Sequence, residues 1–259
     1  MNDDDPQLPT LAQFAVTAGE VPITQAIFVG EVVRRALIRL SDGWAVFVGR
    51  TAYGDQLRGH HHAHYLCEPD ARGRISTLTV WAPMGFDARA VGALAGLRTV
   101  WHGPLELELE LRHLGQPEDL IGRSPLVGPS DSWRSLTPFV PTRMFKRNKR
   151  GRIRVHAETG YLLGGPQHDA WRLAQARGMD APQVVECRDY PGTFIVERVF
   201  GDGERAPGAY FMHLRFPEPR VGPITLGYGV HFGLGVFTSA ASWLPAQTDE
   251  GASSVTTTA

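Results

Sequence analysis

The sequence predicts an α+β fold built from two small sheet-and-helix units, the second irregular and β-rich. Three observations lead there. Residues 11–111 carry strand-like and helix-like patterns in the order β-α-β-β-α-β. Residues 105–111 read Leu-Glu-Leu-Glu-Leu-Glu-Leu, the strict period of two of a half-buried strand. Residues 115–132 then hold Gly115, Pro117, Gly122, Pro125, Gly128 and Pro129, a break between two patterned halves.

Taken in order, residues 1–9 are polar and acidic and are predicted to be disordered. Leu11 to Val16 predicts a first strand. Over Ile23–Leu40, the residues Ile23, Ile27, Val33, Leu37 and Leu40 form an apolar stripe at helical spacing. Glu31, Arg34, Arg35 and Arg39 take the opposite face. Residues 41–59 make a long glycine-containing connection, and such connections often carry function. The second strand is predicted from Gly59 through Cys67. Glu68-Pro69-Asp70-Ala71-Arg72-Gly73 is turn chemistry, and Ile75–Ala82 predicts strand three. Asp87 is placed to cap a helix over 88–98, with Ala90, Val91, Leu94 and Leu97 inward. Leu105–Leu111 is strand four, leucines toward the helices and glutamates away.

That order is the split βαβ, ferredoxin-like arrangement, also the topology of RNA-recognition motifs. The first unit is assigned residues 10–114, a linker 115–132 and the second unit 133–244. In the second, His168–Arg177 predicts a helix stopped by Gly178, and 183–188, 193–200 and 209–216 predict strands. The second helix of a full repeat is not visible. Residues 245–259 are rich in Ser and Thr and predict a loose tail.

Composition narrows the function classes. Hydrophobic content of 42% and charged content of 20% fit a soluble globular chain. No apolar run approaches the roughly 20 residues that span a bilayer, so no membrane role is expected. The acidic N-terminus lacks the apolar core of a secretory signal. Cys67 and Cys187 make no disulfide framework and predict buried thiols in a reducing cytoplasm. A net charge of −1 says nothing by itself about nucleic acid. The distribution says more: residues 143–154 include seven basic side chains and no acidic one. Arg143, Lys146, Arg147, Lys149, Arg150 and Arg152 in this block are candidate phosphate ligands. Glu106, Glu108 and Glu110 would repel phosphate, so RNA is not expected across strand four.

Four of the ten histidines fall at positions 60, 61, 62 and 64. On an extended strand His60, His62 and His64 share one face, and His61 takes the other with Ala63 and Tyr65. Imidazole titrates near neutrality, so neighbours can serve as base and acid, or as metal ligands when neutral. A second candidate stretch runs from Val221 to Phe237. Its alternating Gly227, Gly229, Gly233 and Gly235 let backbone N–H groups approach a ligand closely, or make a glycine-rich hairpin. His231 lies within it, as a ligand contact or as a hairpin histidine.

Three stretches together resemble one family: Gly59-His60-His61-His62-Ala63-His64-Tyr65-Leu66, Trp133 through Arg143, and Gly222-Pro223 through Gly235. They are similar to the CRISPR precursor-RNA-processing endoribonucleases, in particular the processing half of the fused chain of type I-G (formerly I-U) systems. The resemblance covers about residues 20–240. It implies tandem ferredoxin-like domains, a Gly-rich loop holding RNA backbone, and metal-independent cleavage of a stem-loop CRISPR repeat. It also implies that the product stays as guide RNA in a type I interference complex with other subunits. Fused relatives carry a backbone-subunit domain that this chain has no room for, so a separate subunit is expected. Two departures stand out. Met144 follows Arg143 where relatives tend to have histidine, and only Val230-His231-Phe232 separates Gly229 from Gly233.

The chemistry expected is attack of the 2′-OH on the adjacent phosphate, leaving a 2′,3′-cyclic phosphate and a 5′-OH. Two proton-transfer groups and one cation suffice, without a cofactor or metal. His60 and His62 are the expected acid–base pair, with His64 or His231 as substitutes. Lys146 is the expected charge stabiliser. Arg143, Arg147, Lys149, Arg150 and Arg152, with Gly227, Gly229, Gly233 and Gly235, are expected to hold RNA.

Two rivals remain open at this point. Gly54 followed by five residues and His60-x-His62 approaches a cupin metal motif, with Glu68 as the carboxylate and His102 or His113 as the later histidine. The two early helices speak against a jelly roll. The other rival is an RNA-binding scaffold without catalysis.

Overall fold

The computed structural model describes residues 7–190, 192–197 and 208–240. The predicted tail over 245–259, and positions 1–6 of the predicted N-terminal one, lie outside them. Leu8 and Pro9 do not behave as tail. Their carbonyls accept hydrogen bonds from Gln116 Nε2 and Phe86 N–H, each at 2.7 Å.

The first sheet forms from β1 (Leu11–Ala18), β2 (His64–Pro69), β3 (Ile75–Trp81), β4 (Thr99–His102) and β5 (Leu105–Gly115). Its order is β2-β3-β1-β5-β4, antiparallel throughout. Helices α1 (Ala26–Leu40) and α3 (Ala88–Gly96) cover one face, and α2 (Ala45–Val48) is a single turn between them. This is the split βαβ order with one added edge strand, β4, which the sequence did not predict. The alternation of β5 holds: Leu105, Leu107 and Leu109 are buried with α1 and α3, while Glu106, Glu108 and Glu110 are exposed. Asp87 caps α3 by accepting from Ala90 N–H at 2.9 Å. Glu31, expected on the solvent side of α1, is buried.

The second sheet has β6 (Pro129–Ser135), β7 (Gln183–Asp189), β8 (Tyr210–Val221), β9 (Ile224–Thr225) and β10 (Val236–Ser239), in the order β7-β8-β6-β10-β9. Helix α4 (Pro166–Ala176) joins β6 to β7, and Gly178 at φ 71° ends it. Strand for strand, the order repeats that of the first sheet. The glycine-rich segment between β8 and β10 stands where the second helix of a full copy belongs. The fold is therefore two tandem ferredoxin-like units, the second irregular. No strand forms over 192–197, and the rest of the predicted run 193–200 lies outside the described residues.

The predicted linker 115–132 is packed rather than loose. Gln116 and Asp119 cap a 3-10 turn over Pro117–Leu120, and β6 already starts at Pro129. Leu120, Leu126 and Val127 pack with Leu11, Leu66 and Val236, joining the two sheets. Buried Glu68 accepts from Gln13, Thr79 and Ser124, so its carboxylate ties β2 to this connection. Burial raises the Glu68 pKa against those three hydrogen bonds. The cupin reading falls here, because the described residues form two ferredoxin-like sheets rather than a jelly roll and Glu68 faces the connection.

Candidate functional site

Of the four clustered histidines only His64 lies on a strand. Gly59 and His60 both take left-handed backbone, at φ 80° and 57°, and β2 begins only at His64. A non-glycine residue there costs roughly 1–2 kcal/mol, so something must hold it. His64 does. Its ring is buried, and Nε2 is 3.0 Å from the His60 carbonyl. Burial lowers the His64 pKa to about 3, so the ring is neutral and has one N–H to give. The His60 carbonyl takes it, being closer than the Val230 carbonyl at 3.2 Å from Nδ1. Nδ1 then accepts from the Thr225 hydroxyl at 3.4 Å, which itself accepts from Arg177 Nη1 at 3.0 Å. Arg177, Thr225 and His64 thus form a buried chain that ends on the backbone of His60. His64 positions the turn and does not reach solvent.

The turn meets the second unit. His231 sits in a 3-10 turn, Val230–Phe232, bounded by left-handed Gly229 and Gly233. Its Nδ1 is 3.0 Å from the Ala63 carbonyl and must donate, which leaves Nε2 as an acceptor. His60 Nδ1 lies 2.9 Å from that Nε2. His60 therefore carries its proton on Nδ1, and its Nε2 is the basic nitrogen. His62 stacks on His231 with centroids 3.7 Å apart and planes within 10°. His61 is exposed and outside this contact.

These rings are held neutral. Burial, then the charges of Arg177 and His61, lower the His60 pKa. Burial, then His60, Arg34 and His61, lower His62 to about 4. Burial and the surrounding histidines lower His231 furthest. His62 Nδ1 is buried without a hydrogen-bond partner.

A groove opens at this cluster, lined by Arg34, Arg50 and Arg58 together with His60, His62, His231 and Phe232. None of its lining residues is acidic. Arg34 Nε and Nη2 donate to the carbonyls of Phe47 and Val48 at 3.1 and 2.7 Å, which fixes the guanidinium at the groove. Lys146 is not among the lining residues, and Arg34 is.

Lys146 lies in the basic block, which folds as an exposed hairpin with Arg147 and Ile153 paired across it. Asn148 Oδ1 accepts from the N–H groups of Arg150 and Arg152 at 2.9 and 3.0 Å. Arg143, Arg147, Lys149, Arg150 and Arg152 stand out in solvent around it. Nearby, buried Asp169 of α4 accepts from Thr142 N–H and Arg172, anchoring the hairpin's first leg.

The glycines answer first to the fold. A Cβ on Gly235 would sit 1.8 Å from the Leu226 carbonyl, and one on Gly227 2.6 Å from that of Val140. On Gly229 it would meet the Leu234 side chain at 2.9 Å, and on Gly233 the Tyr65 carbonyl at 3.0 Å. Gly30 of α1 belongs with them, since its Cβ would fall 2.6 Å from the Phe232 carbonyl. Close backbone approach therefore seats the His231 turn on α1 and β2. Arg34, Arg50, Arg58, Arg177 and Thr225 carried no motif, and nothing in the sequence joined them to the histidines.

Among the described residues, no group of three or more His, Cys, Asp and Glu side chains is arranged to hold a metal ion. No described helix is long and apolar enough to cross a membrane.

No protein-family model matches the chain, and no curated protein does. Among solved structures it aligns with a Cas6 product complex at 13% identity and TM-score 0.44, over 89% of this chain and 99% of the other. A RAMP protein binding different RNA substrates aligns at 10% identity and TM-score 0.44, covering 90% and 99%. Csf5, a type IV Cas6 crRNA endonuclease, aligns at 13% identity and TM-score 0.41, also covering 90% and 99%.

Proposed function

We propose that this chain is an endoribonuclease that cuts CRISPR repeat RNA into guide RNA by metal-independent attack of a 2′-OH. The observation that carries the reading is the His60–His231 hydrogen bond of 2.9 Å at the head of an arginine-lined groove. The choice of a stem-loop repeat as substrate rests on the sequence resemblance.

In this reading His60 Nε2 takes the proton of the 2′-OH. The freed oxygen attacks the phosphorus, the bond to the 5′-oxygen breaks, and that oxygen takes a proton. The new imidazolium on His60 is steadied through its Nδ1–H by His231 Nε2. Protein carbonyls and neighbours thus set the tautomer before substrate arrives, which is the benefit of a preorganised base. His62 supplies the second proton. Burial keeps it neutral in the free protein, but a phosphate within about 4–6 Å favours the charged ring and moves its pKa upward. Arg34 stabilises the extra charge on the phosphorane. Arg143, Lys146, Arg147, Lys149, Arg150 and Arg152 grip backbone farther along the RNA. The glycine segment contributes through the placement of His231. The guide RNA is then handed on within a type I interference complex.

The test is cleavage of repeat RNA by excess protein in EDTA. His60→Ala and His62→Ala should each abolish cutting while leaving RNA binding within a few-fold. Each positioned proton-transfer group is worth about 10²–10⁴-fold. Full activity of both variants would remove the assignment, and tight binding with no cleavage by the unaltered protein would favour the scaffold reading.

A further inference from the structure

The hairpin over residues 49–57 borders the groove and has no part in the proton transfers above. Leu57 N–H donates to the Gly49 carbonyl at 2.9 Å, and Arg50 pairs with Gln56. Thr51 N–H reaches the Asp55 carbonyl at 2.8 Å, and Gly54 N–H returns to the Thr51 carbonyl at 3.0 Å. Gly54, at φ 88°, makes the tip tight. The legs of the hairpin line the groove through Gly49, Arg50, Gln56 and Leu57, and Arg58 follows directly. Tyr53 stands at the tip with 95% of its surface exposed, more than any other large apolar side chain described.

A lone exposed aromatic is ordinary on a protein surface. This one is set apart by its mounting, on a hydrogen-bonded hairpin flanked by Arg50 and Arg58, which line the same groove as the histidines. We infer that Tyr53 is a stacking platform for an unpaired nucleobase of the RNA beside the cut, with Arg50 and Arg58 on the flanking phosphates. The inference rests on the groove being an RNA-cleaving site.

The reaction itself asks for such a platform. In-line attack needs the 2′-oxygen, the phosphorus and the departing 5′-oxygen close to one line. A nucleotide stacked in a helix holds them well away from it, so a base near the cut must leave its stack. Aromatic side chains replace the lost stacking without regard to sequence, because every base has a π-face. Ala52 and Tyr53 are the central residues of the turn that Gly54 N–H closes on the Thr51 carbonyl, three positions from groove-lining Arg50, which offers the ring to a base close to the scissile phosphate. The Asp55 carboxylate is exposed on the same hairpin, and the three groove arginines outweigh its charge.

The experiment titrates the full chain, in EDTA, into repeat stem-loop RNAs carrying 2-aminopurine at each unpaired flanking position in turn. The unaltered protein should quench the fluorescence at one position. Tyr53→Ala should lose that quenching and cut about tenfold or more slowly at saturating protein, while Tyr53→Phe and Tyr53→Trp keep both. Quenching that is absent from the unaltered protein, or unchanged by Tyr53→Ala at every position, would overturn the inference. Quenching that depends on Tyr53 in a protein that cuts no RNA would overturn the cleavage reading and leave the platform standing.

Discussion

Replacing His231 separates the bond it makes to His60 from its packing. Phenylalanine keeps a flat ring against His62, now 3.7 Å from the His231 centroid, but offers His60 Nδ1 no acceptor. Glutamine places an amide oxygen near the position of Nε2 and restores one. Both lose the donor to the Ala63 carbonyl, so both should lose about 1–3 kcal/mol of stability for that unsatisfied group. The difference between them isolates the bond to His60. A hydrogen bond to a charged partner is worth about 1.5–3 kcal/mol, and the His60 imidazolium forms during the reaction. His231→Phe should therefore cut about 10- to 150-fold more slowly than the unaltered protein, with His231→Gln in between. The acid limb of its pH profile should also move to lower pH, because the protonated form of His60 has lost its acceptor. Single-turnover cleavage with excess protein, paired with urea melts, measures both effects. Equal rates for the unaltered protein and His231→Phe, or for Phe and Gln, would refute the proposed geometry.

Three further expectations follow from other parts of the molecule. Neutralising Arg147, Lys149 and Arg150 of the exposed hairpin should lower the slope of log K against log salt by about 2 for single-stranded RNA, and an unchanged slope would make the hairpin decorative. Stability should fall in acid, because His64 titrates at 6.5 when unfolded and at about 3 when folded. The unfolded chain binds the extra proton below 6.5, so the stability present above that pH drains away toward 3, by roughly 3 kcal/mol near pH 4.5. Urea midpoints that stay flat across this window would contradict a neutral, buried His64. Gly49→Ala should weaken both fold and cleavage, since its φ of 76° is left-handed and the new methyl would lie 2.8 Å from His62 Nε2. Melting and cleavage assays on this variant read the two losses, about 1–2 kcal/mol for the backbone alone.

The sequence by itself determined most elements of the first unit, β4 excepted. The stripe of α1 and the alternation of β5 are local patterns set by burial of one face, and the cap at Asp87 is set by an otherwise unpaired helix N–H that its carboxylate accepts. The β-α-β-β-α-β order then leaves few ways to build the first sheet, and no second helix was legible in the second unit. The histidines were legible as residues but not as an arrangement. Their spacing suggested one strand face, yet the backbone at Gly59 and His60 is left-handed and no strand forms there. What brings the rings together is His231, which arrives on the second unit 171 positions from His60. Arg34 comes from a helix, Arg177 from the residue after another, and each resembles any surface arginine in the chain. Only the tertiary structure decided which of them stands beside an imidazole. Proton affinity and hydrogen-bond direction belong to neighbours in space, and the docking of the two units chose those neighbours.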